Sequence, residues 1–122
     1  STDKGMFNFL YIYTTSLYVA PTRVVESVAV RSLAPATLED GSPGLAVTVA
    51  NLGTVHQLLI AATLEIRDSK GNSVVLEGQD ALGTLDGMNL LARKSVTKTI
   101  PWPSGLSREA GVSYQATIKY TK

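Results

Sequence analysis

The chain has no cysteine, a single histidine and a single tryptophan among its 122 residues. The first absence excludes a disulfide framework, a thiolate metal site and a cysteine nucleophile together. The second leaves His56 with no other histidine to share a metal ion. Charge of one sign is lacking as well: eleven basic and ten acidic side chains leave a net charge of +1. The basic residues are spread along the chain, so the clustered basic patch that nucleic-acid binding needs is not there. No apolar run reaches the roughly 20 residues of a membrane-spanning helix, and no stretch holds the period of an amphipathic helix. The remainder is 44% hydrophobic and 17% charged, enough for one compact domain around one core.

Alternation with a period of two is what the sequence does carry. In VSYQATIKYTK the residues Val112, Tyr114, Ala116, Ile118 and Tyr120 alternate with polar ones, the pattern of a strand that buries one face. LLIAATLEIRD repeats it with Leu58, Ile60, Ala62, Leu64 and Ile66, and GLAVTVAN with Leu45, Val47 and Val49. Weaker runs at Val24 to Ser32, Ser73 to Glu77 and Ser95 to Ile100 raise the count to six, with Ala81 to Leu91 as a possible short seventh. Turn-forming clusters separate these runs: EDGSPG, NLGT, DSKGN and PSGLSREAG. DSKGN reads as a hairpin turn with Gly71 at positive φ. The expected fold is all-β, an immunoglobulin or fibronectin type III-like β-sandwich of about seven strands with an apolar N-terminal strand. The expected core comprises Val28, Val30, Val47, Val49, Leu58, Ile60, Leu64, Ile66, Ile100, Trp102, Tyr114 and Ile118. Residues 1–22 form an apolar arm and residues 23–122 the sandwich domain.

The side chains with chemical potential point away from catalysis. His56 stands alone at a turn-to-strand junction. Asp80 and Asp86 lie six apart in GQDALGTLDG, a polar stretch in which paired carboxylates are ordinarily solvated rather than poised for acid–base work. DSKGN has Lys70 where a calcium loop needs an oxygen ligand, and no acidic residue closes it. No serine sits in a G-x-S-x-G elbow, and no phosphate-cradling glycine loop is present. The reading is of a protein that is not an enzyme, with no metal site and no cofactor.

Binding through backbone and apolar surface is left, and MFNFLYIYTTSLYVAP, Met6 to Pro21, is the stretch suited to it: sixteen residues without a charge. It is too short and too polar at Asn8, Thr14, Thr15 and Ser16 for a membrane helix, and its aromatic and β-branched content favours an extended strand. Phe7, Phe9, Tyr11 and Tyr13 alternate with Leu10 and Ile12, so both faces are apolar. Such a strand is covered on both sides or seeks a partner. Phe7, Phe9, Leu10, Tyr11, Ile12 and Tyr13 are the candidate partner-binding residues, acting by β-augmentation. The alternative is a strand that belongs to its own sheet.

An apolar alternating strand running into SLYVAP, a short link TRVVES and then an immunoglobulin-like body resembles the junction between the two domains of periplasmic pilus-assembly chaperones of the PapD-like kind. NLGTVHQLLIAATLEIRDSKGNSV and IPWPSGLSREAGVSYQATIKY resemble segments of the second domain of divergent members. The resemblance implies a non-catalytic chaperone that lends a strand to an incomplete pilin-like subunit, in the periplasm or at the cell surface. The family places one member of a carboxylate-anchoring basic pair just before the apolar pattern, where this chain has Thr15 and Ser16; Arg23 is the nearest cation on the far side. The resemblance therefore leaves open a fragment of a two-domain chaperone or a one-domain relative whose arm exchanges between two copies. A structural or adhesive immunoglobulin-like domain, its arm paired in its own sheet or in a homodimer, is the other reading.

Overall fold

A computed structural model describes residues 28–121 throughout and the backbone of residues 7–14. In chain order the elements are β1 (Phe7–Thr14), β2 (Val28–Thr37), β3 (Pro43–Asn51), β4 (Gln57–Leu58), β5 (Ile60–Asp68), β6 (Ser73–Glu77), helix α1 (Gly78–Leu82), a 3₁₀ turn (Gly83–Leu85), β7 (Asn89–Leu90), β8 (Ser95–Pro101) and β9 (Tyr114–Thr121). The protein is all-β, with three antiparallel sheets in the orders β1-β9-β5-β6, β2-β3-β8 and β4-β7. SLYVAP and TRVVES, together with Arg23 and the expected strand start at Val24, lie outside the described residues.

One core draws on both larger sheets. Val28, Val30 and Leu33 of β2, Leu45, Val47 and Val49 of β3 and Ile100 of β8 pack in one cluster with Leu64 and Ile66 of β5 and Ala116, Ile118 and Tyr120 of β9. Removing each such aliphatic side chain from water is worth about 1.5–3 kcal/mol. The alternation read in β9 holds: Tyr114, Ala116, Ile118 and Tyr120 are buried while Gln115 is exposed. Thr117 is buried on the opposite face, where strands flank it on both sides as the register partner of Ile12 and Glu65.

Two expectations, on Leu58 with Ile60 and on Trp102, need correction, and the short seventh run is present as the two-residue β7. Leu58 and Ile60 are exposed, and Leu59, between them, is fully buried. The cause is a bulge: two residues of β5, Ala61 and Ala62, stand against one of β9, and Ala61 takes φ 52°. An extra residue reverses which parity faces inward, so burial shifts to Leu59, Ala62, Leu64 and Ile66. Trp102 is partly buried and packs against the core from its edge. The stretch from Ala81 to Leu91 holds the end of a five-residue helix, a 3₁₀ turn and the two-residue β7; Leu82, Leu85 and Leu90 are its buried anchors.

Two knots fix the connections. At the β5–β6 hairpin, Gly71 adopts φ 94°, a conformation free of penalty only without a Cβ. The Asp68 carboxylate accepts hydrogen bonds from the amides of Lys70 and Asn72 and, across to the β8–β9 connection, from the amide of Ser107 at 2.7 Å. Burial acts to raise its pKa, but these bonds to the charged form prevail and bring it down to about 2. In the same connection the Tyr114 hydroxyl donates to the Ser107 carbonyl at 2.7 Å and the Trp102 indole N–H to the Leu106 carbonyl at 3.1 Å. The two rings meet edge to face with centroids 5.8 Å apart, and the Arg108 guanidinium lies 5.1 Å from the centre of the Trp102 ring. Burial raises the Tyr114 pKa, helped by the Asp68 charge and opposed by Arg108.

Candidate functional site

The described sheets have four long edges, and their amino acids treat them differently. A bare edge presents unpaired N–H and C=O groups to any extended chain, and proteins blunt such edges with lysine, proline, bulges or brevity. β2 carries Pro35 and a bulge at Arg31. β8 carries Lys98 at the register position of the fully buried Val47, a cation on the core side of an edge strand, and it ends at Pro101. β6 is five residues long and ends at Glu77. β1 has eight residues with neither charge nor proline.

Among the described strands β1 pairs with β9 alone. The register runs from Phe7 opposite Thr121 to Thr14 opposite Gln115. Between Phe9 and Ile12 a bulge sets Leu10 and Tyr11 against the single residue Ile118. Phe7 and Phe9 before it and Ile12 after it therefore take the same register parity, opposite Thr121, Lys119 and Thr117, instead of the strict alternation expected across the whole strand. All six candidate residues, Phe7, Phe9, Leu10, Tyr11, Ile12 and Tyr13, fall within β1; their side chains lie outside the described residues. One edge of β1 is thus engaged by β9, and the opposite edge is hydrogen-bonded to no described strand, although β2 runs close to β1.

The polar residues singled out from sequence are dispersed. His56 precedes β4 and lines a shallow hollow of about 210 Å³ with Leu58, Ile60, Tyr120 and Thr121. Asp80 lies in α1 and Asp86 directly after the 3₁₀ turn. Among the described residues no three His, Asp or Glu side chains come together to hold a metal ion, and no helix is long and apolar enough to cross a membrane.

Sequence reasoning missed Asn51. It is 1% exposed, and its side-chain amide donates to the carbonyls of Val55 at 2.9 Å and Leu90 at 3.0 Å while its Oδ1 accepts from the Gly53 amide at 3.0 Å. Its own backbone N–H donates to the Lys94 carbonyl. The side chain thereby ties the end of β3 to the loop before β4 and to β7, and the backbone of the same residue adds the β7–β8 turn. The available signal was the position of an asparagine at the end of an apolar strand before Leu52 and Gly53, where its amide can close a turn. No family model, curated protein or solved structure matches the chain.

Proposed function

We propose that the chain is a non-catalytic protein-binding module with an immunoglobulin-like β-sandwich fold, acting through β1 as a strand that pairs with a partner polypeptide. The carrying observation is the contrast between edges: three are blunted by proline, an inward lysine or brevity, and β1, uncharged over eight residues, has one side bonded to β9 and the other hydrogen-bonded to no described strand. Main-chain hydrogen bonds along such an edge supply affinity, and alternate side chains supply specificity. The sandwich assignment draws on the orders β2-β3-β8 and β6-β5-β9, which follow the A-B-E and C′-C-F arrangement, with Tyr114 bonded back to Ser107 as in a tyrosine corner. β1 then takes the place beside strand F. Strand lending to a pilin-like subunit, in the periplasm or at the cell surface, is the form of this activity that the resemblance to pilus-assembly chaperones suggests.

The probe that tests it is the peptide YQATIKYT, the β9 sequence, which β1 already accepts on its other side. Added to the full chain, it protects the amides of residues 7–14 that are open without it. Tyr11→Lys weakens this at least tenfold, and Val75→Lys on the β6 edge leaves it unchanged. Binding indifferent to Tyr11→Lys, or protection appearing on β6 or β8, refutes the proposal. A second reading, a structural or adhesive domain whose first strand completes its own sheet, is favoured by the pairing of β1 with β9; peptide-free protection of every β1 amide distinguishes it.

A further inference from the structure

Four of the five exposed large hydrophobic residues among the described ones, Val55, Leu58, Ile60 and Leu91, gather at one end of the molecule, each 44–60% exposed. Leu58 and Ile60 line the hollow beside Thr121. Leu91 follows Leu90, the register partner of Gln57, and so lies across from His56. The surface is built rather than incidental. Asn51 holds Val55 and Leu90 by hydrogen bonds, the Leu59 amide donates to the Met88 carbonyl, and the Ala61 backbone accepts a left-handed φ that keeps Ile60 outward and Leu59 inward. A residue with a Cβ adopts that conformation only at a cost, and strain of this kind concentrates at functional sites.

The rim is cationic. The chain leaves Leu91 into Arg93 and Lys94, both exposed and in no salt bridge among the described residues. Asn51 bonds both the Lys94 carbonyl, through its backbone N–H, and the Val55 carbonyl, through its side-chain amide. In the chain Asp86 precedes β7, next to Gly87 whose amide donates to the Leu59 carbonyl, while Arg93 and Lys94 follow β7. The exposed hydrophobic residues here are aliphatic and the Tyr120 ring in the hollow is buried, so a lone imidazole, His56, is the one ring left to stack on nucleic-acid bases, short of a stacking platform, and two cations fall short of the four to eight that a lipid-directed basic cluster carries. Apolar contact combined with complementary charge is the chemistry of a protein interface. We propose that this end of the domain docks a polypeptide segment of aliphatic residues flanked by carboxylates, its aliphatic side chains on Leu58 and Ile60 and its carboxylates on Arg93 and Lys94. This surface is separate from the open edge of β1 and does not depend on strand pairing there.

The test titrates the full chain, by amide chemical shifts, with two synthetic peptides of equal aliphatic content, acetyl-ELLDLE-amide and acetyl-KLLKLK-amide. The acidic peptide shifts amides of residues 55–60 and 89–94 and binds at least tenfold more tightly than the basic one, with the preference shrinking as salt rises. The double substitution Arg93→Glu and Lys94→Glu inverts the preference, and Ile60→Ser weakens both peptides; these positions are exposed, so the fold is retained. Equal binding of both peptides, shifts confined to other surfaces, self-association as the sole event at these residues, or tighter retention by phosphatidylserine vesicles than by the acidic peptide each overturns the proposal.

Discussion

Replacing Asn51 by alanine removes three side-chain hydrogen bonds at a site that is 1% exposed. At a net ~1 kcal/mol per bond, the loss is about 3 kcal/mol, a large part of the 5–15 kcal/mol typical of a domain. With a urea dependence of about 1.5 kcal/mol per molar, the unfolding midpoint falls by about 2 M. Trp102, the only tryptophan and packed edge to face on Tyr114, reports the transition by fluorescence. Asn51→Asp costs more at neutral pH than alanine, because a carboxylate oxygen would face the Val55 and Leu90 carbonyls that the amide nitrogen now serves. A loss below about 1 kcal/mol for Asn51→Ala, or an aspartate better tolerated than alanine at pH 7, refutes the claim that this side chain ties three segments together.

Other consequences are open to the same denaturation assay. Tyr114→Phe keeps the ring contact with Trp102 but loses the bond to Ser107, and costs about 1 kcal/mol; an unchanged midpoint would count against the corner. Ala61→Gly relieves a left-handed residue at about 1 kcal/mol and returns about half of that in unfolded-state entropy, so it stabilises by about 0.5 kcal/mol; a clear loss of stability would show the strain to be absent. Asp68 has its pKa depressed from 3.8 to about 2, so its contribution is fully present above pH 3.8 and is lost as pH falls through about 2. The acid slope of stability in that window flattens in Asp68→Asn, and an unchanged slope would remove Asp68 from the account.

Strands whose alternation survives folding were legible before the structure. β9 and β3 bury the residues that the period of two selects, and the β5–β6 turn uses Gly71 as its sequence suggests. Leu58 and Ile60 were misassigned because the bulge at Ala61 reverses parity, and an alanine at positive φ leaves no mark that a glycine would have left. Helix α1 spans five residues, too few for a helical period to register. The apolarity of β1 was plain in the missing charges, but its neighbour lies about a hundred residues away in the chain, and long-range pairing has no local signature. Lys98 became informative only when its partner, the buried Val47, was known.

The most direct test of the edge-strand account is residue-resolved amide exchange over residues 7–14 in the isolated full chain. A strand bonded to β9 on one side and open on the other protects roughly every second amide, with the pattern slipping by one at Leu10 and Tyr11, and leaves the rest exchanging freely. Protection of every β1 amide in the isolated chain would contradict the open edge, and free exchange of all of them would contradict the pairing with β9.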